Sequence, residues 1–186
     1  IINLDCFDLI TADERLVNPQ VTFNKEDDQY LLKDICEMLE ENGYDYILID
    51  HGPQKDLLQK MAYIASDEFF ITTLLADNDR AQAKNAVEEI KALQNTRNKL
   101  VTGEIRGFVI SRVKKANLAE LAIEDMAEEA ENYKGDRGIE PKVFTIPDAI
   151  AIQEAQTFKI PNTVAHRSST VSRNYYNIAD YICSLT

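Results

Sequence analysis

Histidine is scarce in this sequence: His51 and His166 are too few for a His-rich metal site. Cysteine is almost as rare. Cys6, Cys36 and Cys183 are odd in number, widely spaced and set among apolar neighbours. They read as reduced core residues of a cytoplasmic protein, not as a disulfide framework. No apolar run approaches the ~20 residues that span a bilayer, and no signal peptide is visible. An excess of positive charge is also absent. Twenty Lys and Arg face 32 Asp and Glu, a formal net charge of −12. That excludes a protein whose whole surface grips nucleic acid, while leaving room for a local basic patch. Internal repeats and a domain boundary are missing too, so residues 1–186 are expected to form one domain with a sizeable core. The 45% hydrophobic content excludes a disordered chain. The first residue is Ile1 and not methionine, so the chain is expected to begin inside a longer protein.

What is present centres on Tyr44-Asp45-Tyr46-Ile47-Leu48-Ile49-Asp50-His51-Gly52-Pro53. A short apolar run bounded by turn residues predicts a buried strand of a parallel sheet over 45–50. Asp50 then sits at the strand's carboxyl end, where open α/β sheets bind ligands. A carboxylate there can hold Mg²⁺ through water or accept a phosphoryl group. The plainer alternative is a capping aspartate that starts a helix at Gln54.

Around that stretch, strands and helices alternate. Strands are expected at 1–5, 69–72, 105–111 and 142–146, with polar loops at 11–26 and 135–141. Leu31, Ile35 and Leu39 recur at one-turn spacing in a helix over 27–42 that Gly43 stops. Helices follow at 54–66, with Leu57, Leu58, Met61 and Ile64 inward, and from Asp77 or Asn78 to Arg97, with Ala83, Val87, Ile90 and Leu93 inward. The helix over 117–133 turns Leu118, Leu121, Ala122 and Met126 inward. Asp148 caps a short helix to Gln156, and a last helix covers 172–185. The fold class is therefore α/β, a mostly parallel sheet with helices on both faces.

Beyond Asp50 the order of segments resembles the ParA/MinD group of deviant-Walker P-loop ATPases. Tyr44 to Pro53 is similar to its Walker B segment, and Met61 to Phe69 to its helix-into-strand passage. Thr145-Ile146-Pro147-Asp148 is similar to its IPR segment. Glu154-Ala155-Gln156, Lys159-Ile160-Pro161, Ser168-Ser169, Tyr175 and Ala179 keep its carboxyl-terminal order. Ile2-Asn3-Leu4-Asp5 resembles the Walker A′ segment, with Asn3 where an aspartate usually stands. Gly52 replaces the usual first proline after Asp50. The glycine-rich P-loop, whose backbone N–H groups and lysine cradle phosphates, occurs nowhere in the chain.

The resemblance implies ATP or ADP with Mg²⁺ as cofactors. It implies Asp50 as the residue holding the Mg²⁺ water shell and Asp5 as the one orienting attacking water. Ser111, Arg112, Pro147 and Asp148 would lie by adenine. On the residues alone, Asp5 also reads as a loop cap, Arg112 as a solvent-facing cation and Pro147 as a helix-start signal. Family members dimerise on ATP and answer to a ParB-like or other activator. Some bind DNA non-specifically, for which Lys91, Arg97, Lys99, Arg112, Lys114, Lys115, Arg167 and Arg173 are the candidates. No Lys or Arg follows Arg173, which argues against a basic membrane helix. The expected strand order sets 1–5 beside 45–50 and keeps 45–50 apart from 68–72, a P-loop strand lying between.

Two other readings stay open. One is a non-catalytic interaction module of the same fold. The other is a receiver-like domain with Asp50 as phospho-acceptor and Thr72 or Thr73 as its hydroxyl. Against the receiver, Ser111-Arg112-Val113 stands where Lys-Pro is wanted. A receiver requires 45–50 to pair directly with 68–72.

Overall fold

The computed structural model describes residues 1–3, 7–23, 26–52, 56–114, 117–133 and 135–185. Asp5, Cys6, Pro53, Gln54 and Lys115 therefore lie outside the described residues. Packing divides the chain into two compact units. Unit one comprises Ile1–Ser66 with Asn98–Gly103, and unit two Asp67–Arg97 with Glu104–Thr186.

In unit one, β1 (Ile2–Asn3) pairs antiparallel with β2 (Asp8–Leu9), setting Ile2 opposite Leu9 and Asn3 opposite Asp8. This corrects the expectation that strand 1–5 neighbours 45–50. The short helix α1 (Pro19–Thr22) starts on a proline, whose missing N–H is harmless in a first turn. A 3₁₀ turn, Glu26–Tyr30, leads into α2 (Leu31–Glu41). Gly43 follows at φ +89, a conformation that spares only a residue without Cβ, so the helix stops where expected. α2 packs on α3 (Leu57–Ala65). Cys36 and Leu39 are buried in α2, while Leu31 and Ile35, which share the one-turn spacing of Leu39, are exposed. The cap of α3 is Asp56, whose Oδ1 accepts from the Gln59 N–H at 3.1 Å. Asp50 is thus not the capping residue.

The segment 45–50 is the expected buried strand of a parallel sheet. It belongs to no ladder among the described residues. Leu48 is 84% exposed. An apolar run becomes a strand only where a neighbouring strand pairs with its N–H and C=O groups.

Unit two is built on the parallel strands β3 (Glu68–Thr73), β4 (Glu104–Val113) and β5 (Lys142–Pro147), in the order β3-β4-β5. Among the described residues β3 has a ladder to β4 alone, so the pairing of 45–50 with 68–72 that a receiver requires is absent. Every residue of β4 from Glu104 to Ile110 is buried, as befits a middle strand covered on both faces. Val109 joins Ile146 and Val171 in a cluster with Phe70, Phe144, Ile152 and Ile178. Alternation sends Phe108 and Ile110 to the opposite face. The helices are α4 (Asp77–Gln94), α5 (Asn117–Asn132), α6 (Ile150–Phe158), α7 (Asn162–Ala165) and α8 (Thr170–Cys183). α4 packs on β3, α5 on β4 and β5, and α8 on β5. At Gly107 the backbone passes so close to its neighbours that a Cβ would lie 2.7 Å from the Phe70 ring.

α4 and α5 are tied together by charge. Arg80 Nε donates to Asp125 Oδ2 at 3.0 Å and Lys84 Nζ to Asp125 Oδ1 at 2.5 Å. Lys84, and less strongly Arg80, holds the Asp125 carboxyl below the usual carboxylate range despite partial desolvation.

Several expected details differ. Neither Asp77 nor Asn78 caps α4: the cap is Ala76, and Asp77 pairs with Arg80. Leu121, expected inward, is 58% exposed, because Ala119, Ala122 and Met126 take the buried stripe of α5. The cap of α6 is Ala149 and not Asp148. α8 begins two residues earlier than expected because Ser169 caps it, accepting from the Ser172 N–H at 3.1 Å. Cys183, expected in the core, is exposed.

Candidate functional site

Two of the strands end side by side. The pairing register of β4 and β5 slips between Ile110 and Val113. Within the slip Arg112 takes φ +56, the left-handed region that costs a non-glycine residue roughly 1–2 kcal/mol. The backbone closes the slip by donating from the Asp148 N–H to the Val113 carbonyl at 2.9 Å. This brings Ser111, Arg112, Pro147 and Asp148 to one end of the sheet, the carboxyl end, where α/β folds hold ligands. Ser111 is half-buried and Arg112 exposed. The Asp148 carboxylate lies 3.4 Å from Lys114 Nζ. A hydroxyl, a guanidinium and a carboxylate beside a rigid proline suit a flat polar ring with donors and acceptors on its edge, so the four fit the base side of a nucleotide.

Asp50 belongs to unit one and is exposed. The turn after it is fixed by His51, whose Nδ1 lies 2.9 Å from the Gly52 carbonyl oxygen. The His51 ring meets the buried Tyr63 edge-on, centroids 5.5 Å apart. Among the described residues no three His, Cys, Asp or Glu side chains cluster as a metal cage. One exposed carboxylate still fits Mg²⁺, which keeps several waters and takes one or two carboxylates. The phosphates are different. The six glycines, at 43, 52, 103, 107, 135 and 138, include no adjacent pair and build no backbone cradle. These residues therefore do not fit a triphosphate. Asp5, the other expected catalytic residue, lies outside the described residues.

The opposite end of the sheet carries a group that sequence reasoning missed. Arg106, fully buried, meets Glu68 at 2.5 Å and Glu104 at 2.6 Å. Arg137 completes the group, its guanidinium 2.6 Å from Glu68 and its N–H donating to Glu104 at 2.9 Å. Gly135 is required there, since a Cβ would lie 2.8 Å from the Glu104 carboxylate. The available signal was Glu104 and Arg106 at strand spacing inside an apolar run. In unit one, Tyr44 donates to Asp8, an unforeseen bond that raises the phenol pKa.

The candidate DNA-binding cations differ in pairing and exposure. Lys91 pairs with Glu88 at 3.0 Å, and Lys114 faces Asp148. Arg97, Lys99, Arg112, Arg167 and Arg173 are exposed, and Lys115 lies outside the described residues. No helix among the described residues is long and apolar enough to cross a membrane.

A family model described as AAA domain matches residues 1–102. The fold is similar to the cell division ATPase MinD of Pyrococcus furiosus, with TM-score 0.64 and 21% identity over 85% of this chain and 59% of that one. The septum site-determining protein MinD from Pyrococcus horikoshii OT3, complexed with Mg-ADP, aligns with TM-score 0.63 and 19% identity, over 84% of this chain and 57% of that one. Apo McdA of Cyanthece aligns with TM-score 0.76 and 18% identity, over 92% of this chain and 66% of that one. The chain thus spans less than two thirds of the length of each of these proteins. No curated protein matches it.

Proposed function

Since the chain belongs to the ParA/MinD-like family of AAA-domain ATPases, we propose that it is the base-contacting part of an ATP-dependent dimerisation switch. Its work would be to partition DNA or to position a cellular cargo. The observation that carries the reading is the bulged end of β4 and β5, which gathers Ser111, Arg112, Pro147 and Asp148. In this reading the four hold adenine, Asp50 holds the water shell of Mg²⁺ and Asp5 orients the attacking water. Phosphoryl chemistry of this kind needs positioning and neutralisation of charge more than covalent help. The phosphate cradle would come from a glycine-rich loop on a strand preceding residues 1–186, which completes the single domain. The two-sided apolar pattern Phe69-Phe70-Ile71 on an edge strand supports a further strand beside β3. ATP would join two copies, and a ParB-like or other activator would release them.

The test is ATP turnover by the complete protein. Wild type should hydrolyse ATP with Mg²⁺, and Asp50→Ala should abolish the metal-dependent rate. Turnover unchanged in Asp50→Ala would reject the role of Asp50. A second reading, an interaction module without nucleotide, is favoured by the missing glycine cradle. Complete protein that binds no ATP would establish it.

A further inference from the structure

We propose that the open edge of β5 takes an added strand, an extended basic segment of a partner protein. β5 stands last in the order β3-β4-β5, so among the described residues one of its sides has no neighbouring strand. The strand inferred beside β3 lies at the other edge and leaves this one open. The backbone shows which groups face outward. The Asp148 N–H donates to the Val113 carbonyl at 2.9 Å, and the direction of these groups alternates along a strand. Residues 142, 144 and 146 therefore turn their N–H and C=O groups to β4, and 143, 145 and 147 turn theirs to the open side. The Asn174 side chain, from α8, donates to the Thr145 carbonyl and so covers it. Pro147 has no N–H to offer. The second half of the edge is thus closed. In the first half the Val143 N–H and C=O and the Thr145 N–H face outward, with no partner among the described residues.

A groove of about 340 Å³ lies along the same half of the edge. Ala127 and Ala130 of α5 line one side of it, and Val143 and Phe144 of β5 the other. Glu131 and Glu140 line it too, and both are exposed. The wall is acidic: α5 carries Glu120, Glu124, Asp125, Glu128, Glu129 and Glu131 and no Lys or Arg. The nearest cations are engaged elsewhere. Lys142 also lines the groove, but its Nζ lies 4.2 Å from the centroid of the Tyr181 ring, which packs on Phe144. Val143, beside Phe108 on the α5 face, is on the other side of the sheet from that ring. Arg137 meets Glu68 at 2.6 Å.

Edge and groove together select the occupant. Outward N–H and C=O groups two residues apart match an extended backbone and not a helix, whose own groups are spent internally. Strand addition draws affinity from main-chain bonds and selectivity from alternate side chains. A lysine or arginine of the added strand lays its stem over Ala127 and Ala130 and brings its charge to Glu131 and Glu140. A second copy would set the same two acids against their equivalents, and like charges oppose that pairing. The acids repel nucleic acid as well.

The experiment is fluorescence anisotropy with the 186-residue chain. The probe is a labelled peptide of about seven residues that alternates Lys and Val. A second peptide replaces every Lys by Glu. Two more carry backbone N-methyl groups, one on its Lys nitrogens and one on its Val nitrogens. The Lys peptide should bind at least tenfold more tightly than the Glu peptide. One of the methylated forms should bind at least tenfold more weakly than the parent, and which one reports the direction of the added strand. Glu131→Lys combined with Glu140→Lys, at two exposed positions, should weaken binding at least tenfold with unchanged circular dichroism. Val143→Pro, which removes an outward N–H and spares the ladder to β4, should do the same. Should that variant not fold, the methylated peptides carry the test alone. Leu121→Ser, an exposed change on α5, should leave binding unchanged. Equal binding of the Lys and Glu peptides, or of the parent and both methylated forms, overturns the proposal. So does a dimer of the chain by itself that Val143→Pro converts to monomer, which would give the edge to a second copy.

Discussion

The two units use similar apolar content to opposite effect. In unit two Ile105, Phe108 and Ile110 are fully buried in a strand with neighbours on both sides. In unit one Ile47-Leu48-Ile49 is as apolar a run, yet it has no ladder among the described residues, and Leu48 is 84% exposed. Ile1, Phe7, Ile10, Ile35 and Met38 of unit one are exposed as well. The difference teaches that an apolar run is a request for neighbours. The sheet of unit two answers it. In unit one a β1–β2 ladder of two residues does not.

The comparison predicts where substitutions hurt. The largest effect is expected at Arg106. Arg106→Ala leaves the buried Glu104 carboxylate without its guanidinium partner and Glu68 with Arg137 alone, and should cost about 3–5 kcal/mol in urea unfolding. Next is Gly107→Ala, which forces a methyl into the Phe70 ring and should cost about 1–3 kcal/mol by the same measurement. Smaller still is the acid response of the Asp125 tie. Its carboxyl is held below the usual value, so its contribution is whole above about pH 4 and fades as pH falls through the lowered value. Asp125→Asn should flatten the melting temperature between pH 5 and pH 2 relative to wild type, as followed by circular dichroism. The smallest effect belongs to unit one. Leu48→Ser in this chain should change stability by less than about 0.5 kcal/mol. A loss comparable to that of Gly107→Ala would show that Leu48 is buried in solution and would remove the contrast.

Much of unit two was legible. The 3.6-residue spacing of Ala83, Val87 and Ile90 marked the buried face of α4, and the apolar run from Ile105 marked the middle strand. Pro147-Asp148 and Ser111-Arg112 were placed together through the family's segment order, and β4 and β5 do end beside each other. What failed has physical causes. Asp77 and Asp148 looked like caps, but their carboxylates pair with Arg80 and Lys114 instead. The 45–50 strand failed because pairing is a property of neighbours, which a local pattern cannot supply. The Glu68–Arg106–Glu104 group was invisible because its partners lie 36 residues apart in the chain and meet only across β3 and β4.

The central claim is that this chain builds the base side of a nucleotide site and not its phosphate side. Calorimetric titration of the 186-residue chain with Mg·ATP tests it directly. The account predicts no micromolar affinity and no gain of ATP over adenosine, since no glycine cradle meets the phosphates. Micromolar binding of Mg·ATP, with adenosine far weaker, would contradict it.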